Sequence, residues 1–293
     1  MSLRRSIMQA LYAGIYFAGK PLPGGGITIL SYHSLDDLGT PLSVAPRLFQ
    51  AQMSALAELG CRTLTLSQVA EHLSSRRPFP PRAVAITFDD GFANLADAGM
   101  PALQRYGFSS TVYVITGMVG RMTRWTDGPR ALPSLPILTW QQIEHLHAQG
   151  VEIGAHTATH GFLTQYSPSS LEHELTAPRK LLEERLGTPV RSFAYPQGDY
   201  DGRVVRAVRA AGYATATTVD QGRAAAGSDP LRLPRLLVSN NTTPEIMKAF
   251  VVPTIGPAYV GINLVVKGLL GRKRWPRRKP GEVQSTDTLP VPC

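Results

Sequence analysis

Between residues 27 and 238 the sequence alternates short apolar runs with amphipathic stretches, and this alternation limits the possible folds more than any other feature. Short β-rich runs interleaved with helix-period segments read as β/α units around a parallel sheet. The runs predict strands at 27–32, 83–88, 110–115, 151–155, 192–195, 213–217 and 233–238. The amphipathic stretches predict helices at 45–59, 67–73, 96–106, 140–148, 169–186 and 202–211. Thr139, with Gln142 three residues on, has the pattern of a capping box. Gly60, Gly107, Gly150, Gly187 and Gly212 sit where helix ends need a positive φ. Residues 120–136 read as a long irregular loop of the kind that shapes a binding groove near strand ends.

A chain of 293 residues with 43% hydrophobic side chains can bury one substantial core, and single barrel domains of about 200–250 residues are common. The expected organisation is a short apolar segment at 1–26, a catalytic barrel at 27–245, an apolar segment at 246–271 and a basic, disordered tail at 272–293.

The net charge of +9 suggests a nucleic-acid partner until it is located. Ten of the 30 basic residues lie near the termini: Arg4, Arg5 and Lys20 at one end, and Lys267, Arg272, Lys273, Arg274, Arg277, Arg278 and Lys279 at the other. With Glu282 and Asp287 also set aside, 20 basic residues face 19 acidic ones, so the body is nearly neutral. A terminal basic cluster without interleaved aromatics reads as a solvated tail or a contact with anionic lipid, and no nucleic-acid partner is expected.

Ser6 to Gly19, after Arg4 and Arg5, reads equally as a signal-like apolar region or an amphipathic first helix. Residues 249–266 are uncharged, but Pro253, Gly256, Pro257 and Asn263 argue against a straight membrane span. An interfacial helix held by the following basic residues is one reading, and packing against the barrel is the other. A membrane-associated or extracytoplasmic location is favoured, with a cytoplasmic one left open. Cys61 and Cys293 are the only cysteines, which gives neither a disulfide framework nor a zinc-finger spacing.

Three segments carry chemistry. The run Ala83-Val-Ala-Ile-Thr-Phe-Asp-Asp-Gly91 is a buried strand that stops on two carboxylates. Asp-Gly alone is an ordinary turn. The run from Val151 ends on His156, with His160 four residues later. One helical turn after the strand would put both imidazoles on one side, although such a pair alone is a weak sign of metal. Two His and one carboxylate at the C-terminal ends of barrel strands make a facial ligand set with open positions for water and substrate. One member of an Asp pair can bind the ion while the other takes a proton, provided the strand is ending there, because neighbouring strand side chains point oppositely. The spacing itself does not say which is which. In the third segment, Val190 to Asp199, a strand ends in Tyr-Pro-Gln-Gly, a turn whose backbone N–H groups could face an oxyanion, or simply a β/α loop.

Taken together, Thr87-Phe-Asp-Asp-Gly91, His156-Thr-Ala-Thr-His160 and Phe193-Ala-Tyr-Pro-Gln-Gly198 resemble, in order and approximate spacing, the NodB-homology polysaccharide deacetylases, carbohydrate esterase family four. Ser31-Tyr-His-Ser34 and Leu233-Pro-Arg-Leu-Leu237 are similar to the poly-N-acetylglucosamine deacetylase branch. The resemblance implies a distorted (β/α)7 barrel and hydrolysis of an N-acetylated amino sugar, or of a glycan built from it, with release of acetate. It also implies Asp89 as general base, and Asp90, His156 and His160 as ligands of one divalent ion, zinc first, with cobalt, nickel or iron as alternatives.

Two positions depart from the family pattern. Ala194 stands where many members have an Arg that orients the base, and Arg235 stands where a late His acts as general acid. In the similar branch a His from a Tyr-His motif takes the acid role, which points to His33. Tyr195, Gln197, Trp140 and Arg235 are the expected substrate contacts: aromatics for sugar stacking, a backbone N–H near Gln197 for the oxyanion, and Arg235 to orient a carboxylate. Two alternatives stay open: a deacetylase or deformylase of a lipid-linked sugar, and a catalytically silent glycan-binding barrel. His72, His145, His147 and His173 read as surface residues, and Leu171, Leu175, Leu181, Leu182 and Leu186 as core spacing.

Overall fold

The computed structural model describes residues 26–123 and 133–251. Seven parallel strands close into a barrel: β1 (Gly26–Tyr32), β3 (Ala83–Phe88), β4 (Thr111–Val114), β5 (Glu152–Ala155), β6 (Ser192–Ala194), β7 (Thr215–Gln221) and β9 (Leu233–Leu237). Closure comes from β1, which pairs with β3 on one side and β9 on the other. Two short strands escaped the sequence pattern. β2 (Arg62–Thr63) lies beside the start of β3, and β8 (Ala224–Ala225) runs antiparallel to the start of β1. At two residues each, neither offers a period to read.

The connecting helices are α1 (Pro46–Glu58), α2 (Leu66–Ser74), α3 (Met100–Arg105), α4 (Trp140–Ala148), α5 (Pro168–Leu186), α6 (Gly202–Ala210) and α7 (Pro244–Val251). α4 starts with the expected capping box, Thr139 and Gln142 bonding reciprocally. The five glycines expected to end helices all have positive φ. Residues 95–99 differ from expectation, forming a π-helical turn before α3. Pro101 in α3 has no N–H to donate to the preceding turn, which favours the wider winding there.

Two apolar layers follow from strand alternation. Ile27, Ile29, Ala83, Ala85, Tyr113, Ala194 and Leu233 form a cluster in and below the barrel lumen. Leu30, Tyr32, Val84, Ile86, Phe88, Val112 and Val114 face the helices. The inward set on β1 runs on past the strand to His33, on β3 to Asp89, and on β9 to Arg235. In this way the hydrophobic pattern itself aims three polar side chains at one end of the lumen.

α7 runs across residue 245, after which the apolar segment was expected to begin. It buries Ile246, Met247, Ala249, Phe250 and Val251. Thr28 Oγ1 donates to the Phe250 carbonyl at 2.7 Å, and Lys248 pairs with Glu58 at 2.6 Å. The first part of that apolar segment therefore packs on the barrel, the second of its two readings. The rest of that segment, the N-terminal apolar stretch, the basic tail and the loop tip at 124–132 lie outside the described residues. Among those described, no helix is long and apolar enough to cross a membrane.

Candidate active site

The adjacent carboxylates share one site because the backbone turns between them. β3 ends at Phe88, and Asp89 still donates its N–H to the Tyr32 carbonyl at 2.9 Å, as in the ladder. Asp90 then takes a left-handed φ of 71° and Gly91 one of 73°, a conformation that is uncommon outside glycine and concentrates at functional sites. Without that reversal the two side chains would point apart.

Asp90, His156 and His160 converge. Both imidazole Nε2 atoms lie 3.3 Å from Asp90 Oδ1, and one ligand atom from each residue falls within 4.8 Å of the others. Asp90 and His156 are buried and His160 is partly exposed. Asp90 Oδ1 is buried without a hydrogen-bond partner. His156 Nδ1 lies 2.8 Å from the Ala194 carbonyl, which can only accept; Nδ1 therefore carries a proton, and Nε2 is the nitrogen that can offer a lone pair to an ion. A buried carboxylate oxygen without a hydrogen-bond partner, beside the Nε2 atoms of two imidazoles, suits a divalent cation. Burial works against ionisation of Asp90, and the flanking imidazoles outweigh it, holding the carboxyl well below its usual range.

The two histidines do not converge through a helical turn, as the sequence suggested. After β5 the chain forms an irregular loop with Thr157 at φ 66° and His160 at φ 63°. Several tethers hold it: the His160 N–H donates to Thr157 Oγ1 at 2.9 Å, Thr116 and Gly117 N–H donate to the Thr157 and Ala158 carbonyls, and Ala158 and Thr159 N–H both donate to Glu174. A Cβ on Gly117 would sit 2.5 Å from the Ala158 oxygen, so this approach requires glycine.

Asp89 has a different partner. Arg235 grips it bidentately, Nη1 to Oδ1 at 2.6 Å and Nη2 to Oδ2 at 2.7 Å. Arg235 also donates to the Thr218 carbonyl and Thr87 Oγ1, stacks over Tyr113, and is 1% exposed. Burial would raise the Asp89 pKa, but the guanidinium overrides it and holds the carboxyl below its usual value. Arg235 thus orients a carboxylate, and that carboxylate is Asp89. It comes from β9, while the position on β6 where an Arg was expected holds small, buried Ala194.

His33 Nε2 lies 3.8 Å from Asp89 Oδ2, too far for a direct hydrogen bond and close enough to share a reacting group. The β1–β3 register, Tyr32 opposite Phe88, places the residues that follow side by side. Burial lowers the His33 pKa, and the charges of Asp89 and Asp90 only partly offset this.

The other expected contacts are placed differently. Tyr195 is 1% exposed, donates its hydroxyl to the Leu231 carbonyl at 2.9 Å and stacks on Tyr200. Buried in this way, it has no free face for a sugar, while its partner Tyr200 is partly exposed. Trp140 packs against the core with the Arg185 guanidinium over its ring. Gln197 is exposed, in a left-handed conformation (φ 55°) within the turn Pro196–Gly198. That turn follows the strand whose Ala194 carbonyl holds His156. Glu174 carries no local signal in the sequence, because it sits in the core stripe of α5. Leu181, assigned to that stripe, is 36% exposed.

Comparison with known proteins decides the family. The polysaccharide deacetylase family model matches residues 76–216, which contain all three motifs. The chain carries a polysaccharide deacetylase domain over residues 76–216. As such it is a hydrolase of non-peptide carbon–nitrogen bonds. YxkH of Bacillus subtilis (strain 168), which bears a polysaccharide deacetylase name, is 26% identical over 225 residues, covering 77% of this chain and 76% of that protein. The Streptococcus pyogenes deacetylase PplD, solved in complex with acetate, superposes with a TM-score of 0.69 at 26% identity, covering 80% of this chain and all of that one. The poly-beta-1,6-N-acetyl-D-glucosamine N-deacetylase of Escherichia coli (strain K12) is 24% identical over 264 residues, a match spanning 38% of its length.

Proposed function

We propose that this polysaccharide deacetylase removes N-acetyl groups from a glucosamine-type polymer in a reaction that depends on one divalent ion, zinc by preference, held by Asp90, His156 and His160. The carrying observation is the buried, unpartnered Oδ1 of Asp90 facing two Nε2 atoms at 3.3 Å. When bound, the ion would polarise the acetyl carbonyl and make water a better nucleophile near neutral pH.

The side chains then divide the proton work. Asp89, kept ionised by Arg235, accepts a proton from water as its oxygen attacks the acyl carbon. Within the Pro196–Gly198 turn the Gln197 N–H is suited to the developing oxyanion, since Pro196 has no N–H and Gly198 donates its own to the Tyr195 carbonyl. His33 gives its proton to the amide nitrogen as the carbon–nitrogen bond breaks, releasing acetate and a free amine. Return of the Asp89 proton to His33 resets the pair across 3.8 Å. The lowered pKa of His33 makes its protonated form a ready donor to the amine.

The silent-binder reading drew on two missing helpers. Arg235 on Asp89 and His33 beside it supply groups able to fill both roles, which favours the enzyme. The test is acetate release from an N-acetylglucosamine oligomer before and after chelation. Activity should disappear on chelation and return with zinc. Turnover that survives complete metal removal would sink the metal dependence, and a lack of acetate from any N-acetylated glycan would sink the substrate class.

A further inference from the structure

α5 presents Leu171, Glu174, Leu175, Pro178 and Leu182 to the interior, an apolar stripe broken by one carboxylate. Glu174 is 5% exposed. A buried carboxylate is costly unless hydrogen-bonded, and this one is satisfied by neutral donors. Its Oε2 accepts the N–H groups of Ala158 and Thr159, both at 3.0 Å, and its Oε1 accepts Thr159 Oγ1–H at 2.9 Å. All of these donors lie between His156 and His160.

We infer that Glu174 is a positioning residue for the metal, fixing the loop that sets the separation and aim of the two histidines. This rests on the reading of Asp90, His156 and His160 as ligands. The loop is not helical and has two non-glycine residues in left-handed conformations, so regular hydrogen bonding does not hold its shape. Consecutive N–H groups form a concavity suited to an anion, and Glu174 supplies that anion from a helix packed on the core. Thr159 Oγ1 also meets Tyr166 Oη at 2.9 Å, which ties the loop to the segment leading into α5. The tethers act through the backbone, so Glu174 can govern the metal without touching it.

The experiment measures zinc binding to the full chain by competition with a chromophoric chelator, alongside the thermal midpoint of the metal-free protein. Glu174→Ala should weaken zinc about 10–100-fold, the range seen when outer partners of metal ligands are removed. Glu174→Gln keeps an acceptor oxygen at the same reach and should recover most of that loss. Thr159→Val, at an exposed position, should weaken zinc by a smaller factor while folding normally. His156→Ala is the control for the underlying reading. If wild type and His156→Ala bind zinc alike, the ligand assignment fails. If His156→Ala loses zinc while a folded Glu174→Ala binds as tightly as wild type, the role of Glu174 fails alone. Equal zinc affinities accompanied by a drop in the metal-free midpoint would make it a structural residue only. Should Glu174→Ala not fold, Glu174→Gln and Thr159→Val decide, and wild-type zinc affinity in both would overturn the inference.

Discussion

Glu152 and Glu174 do similar physical work at opposite ends of β5, with different consequences. At the start of the strand, Glu152 accepts Ser67 Oγ at 2.7 Å, Ser67 N–H at 3.1 Å and Thr111 Oγ1 at 2.8 Å, fastening the first turn of α2 to the barrel. Past the other end, Glu174 fastens the loop that carries His156 and His160. Around Glu152 the tethered segments are regular strand and helix, which hold their own shape. Around Glu174 the tethered segment is irregular. Of the six described non-glycine residues with positive φ, Asp90, Thr157, His160 and Gln197 lie in the three motifs. Similar tethers stabilise the fold at one end and place the proposed metal ligands at the other, where backbone strain is concentrated.

This contrast can be broken at several points. The largest effect should come from Asp89→Asn, which keeps the shape and removes the proposed proton acceptor: kcat should fall about 10²–10⁴-fold with zinc content unchanged by elemental analysis. Undiminished turnover would remove Asp89 from the chemistry. Next, Arg235→Met leaves a buried carboxylate without its cation and should cost about 3–5 kcal/mol in urea unfolding. Adding Asp89→Asn should restore part of that stability, and a double variant no more stable than Arg235→Met would show that the charge on Asp89 is not what Arg235 balances. At the other end, Glu152→Ala should cost only about 1–3 kcal/mol and leave kcat/KM and zinc affinity at wild-type values; a shift in either would mean that the two ends are coupled. Least perturbed of all is Cys61, near the end of α1 and 9% exposed. Burial pushes its thiol up to about 12, so in a Cys293→Ser variant a thiol reagent at pH 8 should label it only at the rate of unfolding, and fast labelling of that folded variant would place that end of the barrel among the mobile regions.

Much of the fold was legible because its signals are local. The seven barrel strands follow from apolar runs, the helix ends from glycine, and the start of α4 from Thr139 and Gln142. Illegible parts fell where one residue type serves two purposes. α7 reads as one stretch with the apolar residues after it, because a helix that packs on a barrel and one that lies on a membrane need similar side chains. Tyr195 suggested a sugar platform because an aromatic at a strand end fits a groove and a core equally well. Glu174 was hidden in a helix whose period looked purely apolar.

The sequence by itself determined the chemistry available: two carboxylates ending one strand, two histidines ending another, a Tyr-Pro-Gln-Gly turn ending a third, and a β/α order that sends such ends to one face. The tertiary structure alone decided how these groups pair. Which arginine serves Asp89, how far His33 lies from it, and what holds the loop between His156 and His160 depend on residues separated by up to 146 positions. Such contacts form only when the barrel closes, and a pattern confined to neighbouring residues carries no record of that closure.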